Sequence, residues 1–461
     1  MTNLSADIVI CGAGIAGISA AYHLTVKRGM KNILIVDERP PLTLTSDKSS
    51  ECYRNWWPGP DNAMVLFMNR SIDLLEAMAH ETDNIFNLSR RGYIFMTGDD
   101  VRANALRDSA AEISKLGAGP LSVHDGGSSP IPYIRSPAQG FEGPASGADL
   151  ILDPELIKSH YPFVTENAVA ALHARRCGWF SAQQMGMYML DQAIAHGARL
   201  VSARVTGATL SGGRVSAVRV QSAEEDYQIS TDTFVIAAGP YIGDVASMLG
   251  IELPVLNELH AKIAFRDRLG VVPRDVPMMI WTDPVLLPWS PDERDELASS
   301  ADTRWLLREL PGGVHFRPEG GADSSVLMML WTYDVNPVDP VWPPQFDPVY
   351  AEVVLRGLTH MIPGLCDYLG RMPRPAIDGG YYCKTRENRP LIGPLPVEGA
   401  FIIGALSGFG QMAAQTAAEL LADHITGNTL PDYAPAFLLS RYENPDYHAL
   451  MEQSNAASGQ L

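Results

Sequence analysis

Short apolar runs that stop on glycine or an acid set the frame of this chain. Ile8, Val9, Ile10 and Cys11 run without interruption to Gly12, as in a strand covered on both faces. After Gly17, the residues Ile18, Ala21, Tyr22 and Leu24 recur at helical spacing. Beyond Gly29 a second apolar run, Ile33 to Val36, closes on Asp37. The pattern predicts a strand, a helix and a strand in βαβ order. Downstream, Met64, Met68, Ile72, Leu75 and Ala79 mark one stripe of a helix over 62–80, which reads as core packing.

The same reading predicts a strand over 90–97 and helices from Asp99 to Leu116 and from Gln183 to His196. Strands are expected at Arg199 to Leu210, Arg214 to Gln221, Tyr227 to Ser230 and Thr233 to Ala238. Further strands are expected at Ala261 to Arg266 and Val326 to Tyr333, with a helix from Tyr350 to Met361. Phe401 to Ile403 reads as a strand that stops at Gly404, and the Gly-rich turn Ser407-Gly408-Phe409-Gly410 opens a helix running to Ile425. The stretch 117–150, rich in Gly, Pro and Ser, reads as a crossing between domains or an insertion.

With 461 residues, 46% of them hydrophobic and 19% charged, the chain is long enough for two or more domains. A net charge of −18 argues against nucleic-acid or anionic-membrane partners, which need a basic surface. The 5 cysteines are scattered and form no C-x-x-C pair, so neither a disulfide framework nor a metal site is expected. No apolar run reaches the ~18 residues that span a bilayer. No basic region precedes the Ile8 to Leu24 segment as it would in a signal peptide. A cytoplasmic location is the expectation.

Gly12, Gly14 and Gly17 spell G-x-G-x-x-G between a strand and a helix. Gly12 permits the tight turn, Gly14 lets a pyrophosphate approach the backbone, and Gly17 lets helix and sheet pack closely. The amides opening the helix favour an anion. Asp37, about 20 residues beyond Gly17, suits ribose hydroxyls and disfavours a 2′-phosphate, so FAD or NAD is expected over NADP. The long loop Glu38 to Pro60 leaves directly from that strand. In it Thr45, Ser46, Lys48 and Ser49 offer hydroxyls and a cation to a phosphate, and Arg54, Trp56 and Trp57 are placed to stand over a bound ring.

Taken together, these blocks resemble the D-amino-acid-oxidase superfamily of flavoproteins, in the branch with sarcosine oxidase, glycine oxidase, dimethylglycine dehydrogenase and the proline dehydrogenase flavoprotein subunits. The resemblance runs from about Ala6 to Tyr442. Its marks are the N-terminal fingerprint and the strand end Ala237-Ala238-Gly239-Pro240, with Tyr241 where the family often has Trp. Thr385 to Gly393, TRENRPLIG, is similar to T-P-D-x-x-P-I-I-G, and Ser407 to Gly410 is similar to S-G-H-G.

The resemblance implies a mixed α/β fold: a Rossmann-like FAD-binding domain of glutathione-reductase type with an inserted mixed-sheet substrate domain. The FAD-binding parts would be 1–92, 147–256 and 378–440, the substrate parts 93–146 and 257–377, and 441–461 a C-terminal tail. FAD would rest on Gly12, Ala13, Gly14, Ile15, Ala16 and Gly17, on Asp37, Glu38 and Arg39, and on Thr45, Ser46, Lys48 and Ser49. Val205, Ala238, Gly239, Tyr241 and Gly393 would join them, with Ser407, Gly408, Phe409, Gly410, Gln411 and Met412 at the flavin. Gly380 stands where sarcosine oxidases tether the flavin through Cys, and Cys383 is displaced, so non-covalent FAD is expected.

The implied reaction takes a hydride to flavin N5 from a C–N bond of an amino acid or secondary or N-methyl amine, leaving an imine. Electrons would pass to O2 or another acceptor. The lysine that activates O2 in sarcosine oxidases has no counterpart in Val326 to Trp331, so dehydrogenase activity stays open. Met412 replaces a carboxylate-binding lysine. Arg54, His260, Trp331 and Tyr382 are the candidate catalytic residues. Arg54 and Arg317 are candidates for a substrate carboxylate, Arg317 otherwise forming a surface ion pair with Glu319. Trp331 and Tyr333 alternate onto one strand face and, with Trp56 and Trp57, would form an aromatic pocket for a large or cationic amine. A flavoprotein subunit relaying electrons in a complex, a homo-oligomer and a 2-hydroxy-acid oxidase remain alternatives.

Overall fold

The computed structural model describes residues 4–127, 131–143, 146–321 and 323–452. Its centre is a six-stranded sheet in the order Ala198–Ser202, Ile33–Asp37, Ile8–Cys11, Thr233–Ile236, Ala400–Gly404, Leu391–Pro394. The first five strands are parallel and the last is antiparallel. Ile8, Val9, Ile10 and the four residues Ile33 to Val36 are at most 1% exposed, which explains their unbroken apolar runs. Helices Ile15–Tyr22, Ala182–Ala195 and Gly410–Thr426 pack on one face. A four-stranded sheet, Leu4–Ser5, Asp226–Ser230, Arg214–Gln221 and Arg204–Ser211, joins the core on the other.

A nine-stranded mixed sheet forms the second layer, in the order Ala376–Thr385, Val255–Arg266, Val326–Leu330, Val314–Glu319, Met278–Trp281, Tyr93–Thr97, Ala170–Ala174, Ala148–Ile151, Leu121–His124. Its first strand pairs with its second from Val255↔Thr385 to Ala264↔Ala376. The chain then turns through Asn388 into strand Leu391–Pro394 of the six-stranded sheet. That turn is pinned: Thr385 Oγ1 donates to the Arg389 carbonyl, Arg389 pairs with Asp61 at 2.6 Å, and Glu387 accepts from Arg441, Tyr442 and Tyr447. Glu387 takes the acid's place in the T-P-D-like motif and clasps the C-terminal segment.

Three expectations change. The long strand expected at Arg199 to Leu210 breaks at buried Ala203, whose N–H donates to the Asp37 carbonyl, and its halves enter different sheets. The strand at Val326 stops at Leu330, because the Trp331 amide turns to the Tyr350 hydroxyl at 3.2 Å. Strand pairing puts Ala148–Ile151 and Ala170–Ala174 in the nine-stranded sheet, so 148–174 sits with the second layer, whereas a return to the first was expected at 147. Residues 128–130 and 144–145 of the Gly-rich stretch, and 453–461 of the tail, lie outside the described residues.

Candidate functional site

Strands Ile8–Cys11, Ile33–Asp37 and Thr233–Ile236 all point their carboxyl ends into a cleft of about 480 Å³. This is the edge of a doubly wound sheet where ligands bind. The three glycines have separate jobs. Gly12 has φ 116°, and a Cβ there would lie 2.4 Å from the Ala237 carbonyl oxygen. A Cβ on Gly17 would lie 1.9 Å from the Gly12 carbonyl oxygen, so strand and helix approach at that contact. At Gly14 a Cβ would meet Ser46 Oγ alone, at 3.2 Å, and its open side faces the cleft.

Polar groups converge on the same space. Asp37 Oδ2 accepts from the Ala13 amide at 2.7 Å and Oδ1 from the Arg39 amide at 2.9 Å, which fixes the carboxylate and leaves lone pairs for a ribose. Ser46 Oγ accepts from the Ile15 amide at 2.9 Å, placing a hydroxyl at the helix N-terminus. Arg204 pairs with Glu38 at 2.7 Å at the outer rim. Ser407 Oγ, at the far end, is buried with no hydrogen-bond partner among the described residues, which leaves it for a ligand. An FAD-shaped set of donors is thus present: a cradle without a side chain at Gly14, helix amides, a fixed acid and an orphaned hydroxyl. The residues fit the group.

Gly12, Ala13, Gly14, Ile15, Ala16, Asp37, Glu38, Arg39, Thr45, Ser46, Val205, Ala238, Gly239, Tyr241, Ser407 and Gly410 all line the cleft. Other expected contacts do not. Gly17 serves packing. Lys48 Nζ is held by Asp47 at 2.8 Å and Asp378 at 3.2 Å, and the Ser49 carbonyl accepts from Lys262 Nζ. Gly393 lies at the sheet edge against Leu438 and His424. Gly408 packs under the Tyr382 ring, Phe409 meets Trp57 edge-on at 4.9 Å, Gln411 donates to the Ser46 carbonyl, and the Met412 carbonyl accepts from Ser71. They pack behind the Ser407–Gly410 end of the cleft. Leu42, Ala405, Asp244 and Met248 line the cleft without having been expected, since nothing in their local pattern departs from loop or helix.

A second cavity, about 340 Å³, lies beyond the strand that carries His260. His260 stacks on Tyr382, centroids 3.9 Å apart and planes at 15°. The Tyr382 ring in turn lies against Gly408, so the stacked pair stands between the Ser407–Gly410 end of the cleft and the second cavity. His260 Nε2 meets Glu258 Oε2 at 3.1 Å and Nδ1 meets Thr332 Oγ1 at 3.2 Å. Burial holds its pKa below the ordinary value, partly offset by Glu258. A carboxylate only accepts, so Nε2 carries the ring proton and Nδ1 accepts.

Trp331 and Tyr333 reach this cavity, but Trp56 and Trp57 do not. They are 3% exposed in the core under the cleft, where Arg54 lies over the Trp57 ring at 4.6 Å. The four-aromatic pocket is therefore not formed. Arg54, 6% exposed in strand Cys52–Arg54, lines neither cavity. Arg317 does pair with Glu319, at 2.6 Å, but is 1% exposed and also donates to the Ser50 carbonyl, so it is an interior tie and not a surface pair. The pocket is completed instead by Trp305, Phe346 and Tyr350, from segments far apart in the chain.

Among the described residues no helix is long and apolar enough to cross a membrane. No curated protein matches the sequence. Solved structures with the same fold include L-proline dehydrogenase from P. horikoshii, with TM-score 0.72 and 19% identity over 96% of this chain and 98% of that chain. Glycine oxidase from Geobacillus kaustophilus has TM-score 0.70 and 16% identity over 95% and 99%. Iminodiacetate oxidase from Chelativorans sp. has TM-score 0.66 and 19% identity over 94% and 98%. At these identities the likeness concerns the fold. A family model described as DAO, FAD dependent oxidoreductase, matches residues 7–424, and with the cleft's fit to FAD this places the chain in that family: it belongs to the DAO family of FAD-dependent oxidoreductases.

Proposed function

We propose that the protein oxidises a C–N bond of an amine or amino acid to an imine, with non-covalently held FAD as the electron acceptor. The observation that supports this reading is the Tyr382–His260 partition, beyond which a second, aromatic cavity lies behind the Ser407–Gly410 end of the cleft, where the flavin ring would rest. FAD held by these residues would supply a two-electron acceptor for the hydride on the substrate carbon, the proton on nitrogen would pass to solvent, and water would hydrolyse the imine to a carbonyl compound and ammonia or an amine. The chain's own groups bind and orient. Asp37 and the helix amides hold the nucleotide, and Ser407 presents a hydroxyl at the opposite end. His260 has both ring nitrogens engaged, so it fixes the Tyr382 ring and does not act as the base. Trp331, whose Nε1 donates to the Pro311 carbonyl, forms a rigid wall.

Covalent attachment is disfavoured by the thiols nearest the cleft. Burial pushes Cys11 and Cys383 up to about 12, so neither is a thiolate nucleophile near neutral pH. The test is anaerobic addition of amines, amino acids and 2-hydroxy acids to the purified holoenzyme. Bleaching by an amine supports the reading, and bleaching by hydroxy acids alone overturns it. The rate of recolouring in air then assigns O2 or another acceptor.

A further inference from the structure

The second cavity is lined by aromatic rings and carboxylates. Its aromatic wall is ordered: Tyr333 lies between Trp305, at 5.7 Å and 21°, and Tyr350, at 5.8 Å and 24°, with Trp331 edge-on at 5.5 Å. Ring faces of this kind attract organic cations. Two carboxylates, Asp334 and Asp347, stand at the exposed side of the same cavity. No Lys or Arg is among its lining residues. The one basic side chain there, His260, is kept neutral by burial despite Glu258. Three basic side chains of the same sheet, none of them lining the cavity, have partners of their own. Arg317 is tied to Glu319 and the Ser50 carbonyl, Lys262 to the Ser49 carbonyl, and Lys384 to Glu258 at 3.1 Å. A carboxylate entering here would lose its hydration and meet two like charges, whereas an ammonium would meet both acids and the ring faces. The whole-chain charge of −18 acts in the same direction.

We propose that the second cavity selects an amine that carries a further fixed positive charge, a quaternary or second ammonium group, in preference to an amine that carries a carboxylate. This rests on the amine-oxidation reading. The charged group is held in the second cavity, and the C–N bond that is oxidised is one that reaches past the His260–Tyr382 pair into the cleft. The volume lies within the range of small-molecule sites, about 300–1,000 Å³.

The probe is benzyltrimethylammonium, compared with its neutral isostere neopentylbenzene and with phenylacetate, titrated into the holoenzyme at fixed ionic strength and read by tryptophan fluorescence and the flavin difference spectrum. The expected result is that the cation binds about tenfold more tightly than the isostere and that phenylacetate binds no better than the isostere. Asp347 Oδ1 also accepts from the Val349 amide at 3.0 Å at the start of helix Tyr350–Leu358. Asp347→Asn keeps that acceptor and removes the charge, so it weakens the cation several-fold and leaves the isostere unchanged. Equal binding of cation and isostere, tighter binding of phenylacetate, or an equal effect of Asp347→Asn on both neutral and cationic probes overturns the proposal. Failure here is separable from failure of the reaction. Bleaching by carboxylate-bearing amines without cation selectivity overturns the charge preference alone, and cation binding without bleaching by any amine overturns the reaction alone.

Discussion

The His260 imidazole lies flat on the Tyr382 ring, 3.9 Å between centroids, on two antiparallel strands whose register pairs His260 with Gly380. Tyr382, two residues on from Gly380, is the diagonal neighbour of His260 across the ladder, within reach of its ring. The stack rests on the paired register and on the Glu258 and Thr332 bonds that orient the imidazole. The partition between cleft and cavity is a property of the sheet, and its two members can be tested apart.

Tyr382→Phe keeps the stack and should leave kcat/KM within a few-fold of wild type. Tyr382→Ala removes the partition and should lower kcat/KM by about 10²-fold, with flavin content unchanged. Steady-state kinetics beside the flavin-to-protein absorbance ratio measures both. A loss in the Phe variant equal to that in Ala would assign the chemistry to the hydroxyl.

The fingerprint glycines should fail in different ways. Gly14→Val adds bulk on the cleft side, where the protein itself offers only Ser46 Oγ as a neighbour, and should yield a folded, colourless protein. Gly17→Ala drives a Cβ to 1.9 Å from backbone oxygen and should destabilise the fold by at least about 4 kcal/mol. Urea unfolding and flavin content distinguish them.

Asp37→Ala removes a carboxylate held by two backbone amides. FAD affinity should fall about 10- to 100-fold, on the scale of a hydrogen bond to a charged group, about 1.5–3 kcal/mol. Fluorescence titration of the FAD-depleted protein measures it.

Acid should loosen the nucleotide half through His23, which follows the fingerprint helix. Burial lowers its pKa from 6.5 to about 4, with a partial offset from Gln415. Its Nε2 meets Gln415 Oε1 at 3.1 Å and its Nδ1 has no partner among the described residues. The unfolded chain takes the proton first, so this contribution is complete above pH 6.5 and is lost as the pH falls towards 4, by up to about 3 kcal/mol. Thermal melts from pH 7 to 4 should show a shallower acid decline for His23→Gln than for the wild type.

The cleft was legible because its determinants are local. Gly12, Gly17 and Asp37 are spaced by one turn and one βαβ unit, and the burial that makes Ile33 to Val36 apolar leaves a run that any reading finds. The second cavity was half legible. Trp331 and Tyr333 were in view, yet Trp305, Phe346 and Tyr350 arrive by long-range packing that no periodicity carries. Arg54, Trp56 and Trp57 misled for the converse reason: a buried guanidinium over an indole and a ligand-binding pair have the same sequence. The place of 148–174 turned on which sheet its strands pair with, and apolar alternation does not name a partner.

The most direct test of the account is a single anaerobic experiment on the purified chain: acid precipitation to release the flavin, then spectra during addition of amines. FAD should appear entirely in the supernatant, and the yellow holoenzyme should bleach with an amine substrate. Flavin that stays with the pellet would contradict non-covalent binding, and a flavin that no amine bleaches would contradict amine oxidation and favour a relay role within a larger assembly.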